Sequence, residues 1–319
     1  MKALLCFVAF FACVSAHADK ITIVAAENFY GGVAAQIAGN EATVTSILSN
    51  PNQDPHEFTT DAATAKAVAD ADIVIYNGLG YDDWMAKLLG TAGKKDRVVI
   101  RVADLIGAKD GDNPHIWYDP RTMPTLAAKL GDAIFMTGFS ATYRAAAGAN
   151  PFAQKINDFD ASMKPELDEI AAIKSKYSGT IVTATEPVFG YMSGALGFKM
   201  LNYDFQINIM NDTEPSASQT AAFEKSLNPK TVRLLFYNKQ VTDPTTERLK
   251  KIAITSDVPI VGVTETQPAD AKTYQDWMMH ELHAVETALA QPAGAFPGDS
   301  VPVPVQRTEN VNVQTTPNQ

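Results

Sequence analysis

Cysteine is almost missing from this 319-residue chain: there are two, Cys6 and Cys13. Both fall inside the first fourteen residues, so the rest of the chain holds neither disulfides nor thiolate metal ligands. Basic charge is also in short supply. Lys and Arg number 26 against 36 Asp and Glu, a formal net charge of −10. Nucleic acid is excluded as a natural partner, because gripping phosphates needs a basic face. No apolar run reaches the roughly 20 residues of a membrane span. There is no P-loop, no G-x-G-x-x-G and no G-x-S-x-G, which removes the motifs for nucleotide, dinucleotide and serine-hydrolase chemistry. Disorder throughout is excluded as well, since 46% of the residues are apolar and can build a core.

What is present begins with an address. Lys2 precedes an apolar stretch over 3–14, followed by Ser15-Ala16-His17-Ala18-Asp19. A positive end, about a dozen apolar residues and an Ala-x-Ala site make a secretory signal peptide over 1–18, with cleavage after Ala18. The expected location is the periplasm. Cys13 as a lipid-bearing cysteine is the rival reading, and Phe10-Phe11-Ala12 fits a lipobox poorly. An acidic exported chain concentrates cations near its surface.

Beyond the leader, hydrophobic patterning alternates between short β-branched runs and Ala-rich or amphipathic stretches. Strands are expected at 21–26, 42–48, 72–77 and 97–102, then at 180–185, 232–237 and 259–264. Helices are expected at 30–39, 62–71, 81–89, 123–135, 153–176, 188–196, 218–227, 244–256 and 272–290. Such alternation implies βα units and parallel sheets. The fold class is therefore α/β, with two Rossmann-like lobes at 19–149 and 179–290. A helical connector over 150–178 joins them, and the Pro-rich tail over 291–319 is expected to be disordered. The connector carries Ile156, Phe159, Met163, Leu167, Ile170 and Ile173 as an apolar stripe, and Pro165 should bend or interrupt it.

Ligand-binding groups in open α/β sheets collect beyond the carboxyl ends of strands. Four side chains stand there. His56 follows the second strand within Pro51-Asn52-Gln53-Asp54-Pro55-His56, and His115 follows the fourth within Asn113-Pro114-His115. Glu186 follows 180–185, and Glu265 follows 259–264. Singly, a loop histidine reads as a hydrogen-bonded surface residue, and a Glu before Pro187 reads as a helix-start acid favoured by the dipole. As a set, two imidazoles from one lobe and two carboxylates from the other point to a metal site. His280 and His283 share a helix face, but Glu281 does not complete H-E-x-x-H, so a solvated face is expected there. Met278 and Met279 read as helix packing.

DPHEF at 54–58, ADIVIYNGLGYDDWMAKL at 71–88, NPHIWYDP at 113–120, TEPVFGYMSGALG at 185–197 and NDTEPSAS at 211–218 recur in order. This series resembles the cluster A-I solute-binding proteins, the zinc- and manganese-type receptors of ABC importers, over residues 20–290. The resemblance implies a non-enzymatic receptor, monomeric, with one divalent ion held in the cleft between the lobes. An inner-membrane permease with its cytoplasmic ATPase would take up the ion. His56 and His115 match the family's first two ligands, and Glu186 matches a third that is His or Glu. The fourth is usually Asp, and Glu265 stands in its place. Glu214 matches a motif residue that is not a ligand. Residues 57–114 hold no histidine, so the His-rich loop of many zinc receptors is missing. A His₂Glu₂ set is harder than His₃ and favours Mn²⁺ or Fe²⁺, while the Irving–Williams order favours Zn²⁺. Mn²⁺ is the expected cargo, with Zn²⁺ next. The rival functions are a metal-dependent hydrolase and a surface adhesin with a structural metal.

Overall fold

The computed structural model describes residues 20–50, 58–91, 94–241 and 243–292. The leader, Cys6, Cys13, His56 and the tail from 293 lie outside the described residues. The first lobe runs β1 (Ile21–Glu27), α1 (Asn28–Ala38), β2 (Ala42–Leu48), α2 (Ala62–Asp70), β3 (Ile73–Tyr76), α3 (Asp83–Thr91), β4 (Val98–Arg101) and α4 (Val102–Ile106). Four helices follow without a strand: α5 (Thr122–Gly138), α6 (Ala141–Ala147), α7 (Ala153–Ser162) and α8 (Lys164–Tyr177). The second lobe has β5 (Ile181–Ala184), α9 (Gly190–Ala195), β6 (Lys199–Leu201), α10 (Tyr203–Met210), α11 (Ala217–Ser226), β7 (Leu235–Asn238), α12 (Pro244–Thr255), β8 (Ile260–Val263) and α13 (Tyr274–Ala290).

Both sheets are four-stranded and parallel, in the orders β2-β1-β3-β4 and β6-β5-β7-β8. Each chain path leaves its first strand on one side and returns on the other. The switch points therefore lie between β1 and β3 and between β5 and β7, where the carboxyl ends open a crevice. All seven expected strands form. The eighth, β6, was not expected: it is three residues long, Lys-Met-Leu, and pairs with β5 from Ile181↔Lys199. So short a run has no legible period. The short helices α4, α6 and α10 were missed for the same reason.

The connector breaks where proline demands. α7 ends at Ser162, Met163 forms a turn, and α8 restarts with Pro165 in its first turn, where a missing N–H costs nothing. The break also resets the phase of the apolar stripe. Phe159, Met163, Ile170 and Ile173 are buried as expected, but Leu167 is 45% exposed and Glu166 takes the inward position at 1%. Counting from Met163, the buried positions are i+3, i+7 and i+10. The restart selects 166 where an unbroken stripe would select 167.

One apolar core joins the two sheets. It runs from Ile23 and Phe29 through Trp117, Tyr118 and Trp277 to Phe189 and Phe236. Rings pack edge-on or tilted along this line, Phe29–Trp117 at 4.9 Å, Tyr118–Trp277 at 5.6 Å and Tyr118–Phe189 at 5.2 Å between centroids. An interface that apolar resists splaying, because separation would wet every ring. Asn28 adds a reciprocal polar clasp, donating to the Gln267 carbonyl at 2.8 Å and accepting from the Gln267 N–H at 3.1 Å.

Candidate metal centre

The strand ends deliver the site. His115 lies in the turn after β4 and α4 and is fully buried; Glu265 follows β8 and is also fully buried; Glu186 follows β5 and is 3% exposed. His115 Nε2 stands 3.7 Å from Glu265 Oε2, imidazole from one lobe against carboxylate from the other. Glu186 is linked through Asn238, the last residue of β7. The Asn238 amide donates to Glu265 Oε1 at 2.5 Å and to Glu186 Oε2 at 3.5 Å. Of the four expected ligands, then, the structure brings His115 and Glu265 face to face and sets Glu186 one amide away. Among the described residues, no group of three or more His, Cys, Asp or Glu converges tightly enough to hold an ion. His56 lies outside the described residues.

The imidazole of His115 is held in one tautomer by geometry. Asn113 Oδ1 accepts from the His115 backbone N–H at 3.1 Å and lies 2.6 Å from His115 Nδ1. Asn113 Nδ2 donates to the Pro187 carbonyl at 2.7 Å. A backbone N–H can only donate and a carbonyl can only accept, so these two partners fix which way the Asn113 amide points. Facing Oδ1, His115 Nδ1 must carry the proton. In the neutral ring Nε2 then presents its lone pair; it has no hydrogen-bond partner among the described residues and faces Glu265. A neutral imidazole with its far N–H so engaged is the form that ligates metal.

A layer of polar groups braces both halves. Gln240 Oε1 accepts from the Glu265 and Thr266 N–H groups at 2.5 and 3.0 Å. Asn77 donates to the Pro114 carbonyl at 2.9 Å and accepts from the Tyr30 hydroxyl at 2.6 Å, which fixes the approach to His115. The turn after β3 is backbone-strained, with positive φ at Gly78, Leu79 and Gly80 (84°, 60° and 83°), a region that leucine rarely enters. Asp82 stabilises it by accepting from the Asn77 and Gly78 N–H groups at 2.5 and 2.8 Å. Burial pushes Asp82 up to about 6, and those N–H bonds pull against the rise. Glu27, at the end of β1, is driven well above the usual carboxylate range by burial first and then by the charge of Asp82. Tyr81 follows this turn; burial and then the charges of Glu265 and Glu27 raise its phenol far above 10.

On the far side, Glu281 of α13 accepts from the Thr264 N–H at 3.1 Å and from the Trp277 indole at 2.9 Å. Tyr118 Oη stands 2.7 Å from both Glu281 Oε2 and the Thr264 carbonyl. Burial pushes the Glu281 carboxyl up to about 7, and the bonds it accepts from Tyr118, Trp277 and the Thr264 N–H pull against the rise.

Asn113, Asn238 and Gln240 were not singled out from the sequence. Asn113 does precede the Pro-His dipeptide, a local signal that could have found it. Asn238 and Gln240 carry none, because the site groups they brace are 25 or more residues away. His280 and His283 are exposed, and Glu214 lies on an exposed loop. Met278 is buried and Met279 packs against the core.

A family model described as the periplasmic zinc-uptake complex component A matches residues 23–288. The chain is 23% identical over 288 residues to the manganese-binding lipoprotein of Halalkalibacterium halodurans, covering 87% of this chain and 91% of the relative. It is 23% identical over 286 residues to the zinc-binding lipoprotein of Streptococcus pneumoniae, covering 82% of this chain and 54% of that protein. Among solved structures, the periplasmic zinc-binding protein TroA of Treponema pallidum superposes with a TM-score of 0.69 at 18% identity, over 85% of this chain and all of that one. The Mn-bound periplasmic metal-binding protein of Candidatus Liberibacter asiaticus gives 0.66 at 19%, with the same coverage. At these identities the structures establish the two-lobed fold with its pair of parallel sheets. The word lipoprotein in the relatives' names leans against the expectation that Cys13 is no anchor.

Proposed function

The chain belongs to the zinc-uptake component A family of periplasmic proteins, and on that premise we propose that it captures a divalent transition metal and delivers it to an ABC permease with its ATPase. The observation that carries this reading is His115 Nε2, a buried ring nitrogen with no hydrogen-bond partner among the described residues, 3.7 Å from the Glu265 carboxylate across the lobe boundary. A buried imidazole facing a buried carboxylate costs desolvation on both sides, and a divalent cation between them offsets it. The donor chemistry suits the cargo. We take His56, His115, Glu186 and Glu265 as the ligands, two neutral nitrogens and two carboxylates, whose charge a divalent ion balances. The lobes would be residues 19–149 and 179–290 about the connector 150–178.

Carboxylate oxygens can chelate and raise the coordination number to five or six, which suits Mn²⁺; raw affinity favours Zn²⁺. We favour Mn²⁺ as cargo, with Zn²⁺ second. Export beyond the cytoplasmic membrane accords with the leader over 1–18, and relatives named as metal-binding lipoproteins support transport over hydrolysis or adhesion.

The test is the thermal midpoint of metal-stripped mature protein with Mn²⁺, Fe²⁺ or Zn²⁺ added, beside Glu186→Ala and Glu265→Ala. A ligand that binds only the folded state raises the midpoint as its concentration exceeds its dissociation constant. A rise with Mn²⁺ or Zn²⁺ that both variants abolish is expected. No rise with any metal would sink the site, and a rise with Zn²⁺ alone would make zinc the cargo.

A further inference from the structure

Asn113 is half-buried at the boundary between the lobes, and four hydrogen bonds meet on it. Its Oδ1 serves the His115 N–H and Nδ1, and its Nδ2 reaches the Pro187 carbonyl. Its own carbonyl accepts from the Tyr191 hydroxyl at 2.9 Å. Pro187 directly follows Glu186. One short side chain thus touches an imidazole of the first lobe and the ligand-bearing turn of the second. The second lobe is shaped to admit it: a methyl group added at Gly190 would lie 2.9 Å from Asn113 Nδ2. Gly190 has ordinary helical angles, φ −61° and ψ −48°, so backbone conformation does not call for glycine there. The space for Asn113 does.

We propose that Asn113 is a positioning residue of metal capture, locking His115 as the Nδ1–H tautomer while holding the Glu186–Pro187 turn in register with that imidazole. The inference rests on the ligand assignment proposed above. Without Asn113, an imidazole is free to place its proton on Nε2. That proton would face Glu265 Oε2, and a His–Glu hydrogen bond would then compete with the ion for both ligands. The amide does two things that other side chains do only in part. Asp would accept from His115 but has nothing to donate to Pro187. Ala does neither.

The experiment uses metal-stripped mature protein: wild type, N113A, N113D and G190A. Mn²⁺ and Zn²⁺ affinities are read by competition with a chelating dye. The His115 tautomer is read from long-range ¹H–¹⁵N correlation spectra of the metal-free protein, its signals assigned by their loss in H115Q. Wild type should show Nδ1–H. N113A should move toward Nε2–H and lose about 10- to 100-fold in affinity, the range for an outer partner of a ligating histidine. N113D should restore the tautomer but recover affinity only in part. G190A should keep the tautomer and still weaken binding several-fold, and it carries the test if N113A does not fold. An unchanged tautomer with affinity within twofold in N113A, or unchanged affinity in G190A, would overturn this inference alone. Wild-type protein binding neither ion would overturn the ligand assignment and this inference with it.

Discussion

Replacing Glu166 with Gln should make the protein more stable, and increasingly so as pH rises. Glu166 is 1% exposed, sits in the first turn of α8 beside the connector break, and neither carboxylate oxygen has a hydrogen-bond partner among the described residues. Burial pushes the carboxyl from 4.5 up to about 8. An unfolded chain releases this proton above about pH 4.5, whereas the native state keeps it to about pH 8. The native state binds more protons over that window, so this group lowers stability as pH climbs through it, and the loss levels off beyond. At pH 7 the penalty is about 3 kcal/mol, since each pH unit above the unfolded value contributes about 1.4 kcal/mol. That is a large share of a typical stability of about 5–15 kcal/mol. Gln is neutral throughout and close in size. Urea unfolding of wild type and E166Q at pH 4.5, 7 and 9, followed by tryptophan fluorescence, reads the difference directly. The gap should be near zero at pH 4.5, near 3 kcal/mol at pH 7 and no smaller at pH 9. Other raised acids such as Glu27 and Glu281 are common to both proteins and cancel. A gap that does not change with pH would refute the reasoning and leave Glu166 as a packing residue only.

Two further outcomes follow from the same geometry. N238A removes the donor shared by Glu186 and Glu265. It should destabilise metal-free protein by about 1–3 kcal/mol and leave a larger metal-induced rise in melting midpoint than wild type shows; an equal rise would argue that Asn238 does not restrain the carboxylates. W277A should cost about 3–5 kcal/mol, because Trp277 packs on Phe29 and Tyr118 and donates to Glu281. Calorimetry should show one cooperative transition in wild type. Two separated transitions in W277A would mark this ring as part of what couples the lobes, and a loss under 1 kcal/mol would contradict the burial argument.

Much of this molecule is local enough to be written along the chain. Strands such as 21–26 and 259–264 announce themselves because a buried strand is a short β-branched run, whatever it packs against. The places of Glu186 and Glu265 follow, since a side chain just past a parallel strand must lie at the sheet's carboxyl edge; His115 comes fourteen residues after β4, beyond α4, and its place is set by the folding of that loop. The interruption near Pro165 is equally local, being a matter of one missing N–H. Which way the helix faces after that interruption is not. Leu167 and Glu166 are adjacent, either satisfies a three-or-four spacing from Met163, and only packing against α13 turns the acid inward and the leucine out. The bracing of the site is likewise tertiary. Asn238 meets Glu186 across 52 residues, and Asn113 meets Pro187 across 74. An amide carries no periodic signature, and its role is set by the groups that distant parts of the chain place within hydrogen-bonding distance of it. The sequence determined the architecture and the residue types offered to a metal; the packing of one lobe on the other decided which nitrogen of His115 faces the carboxylate.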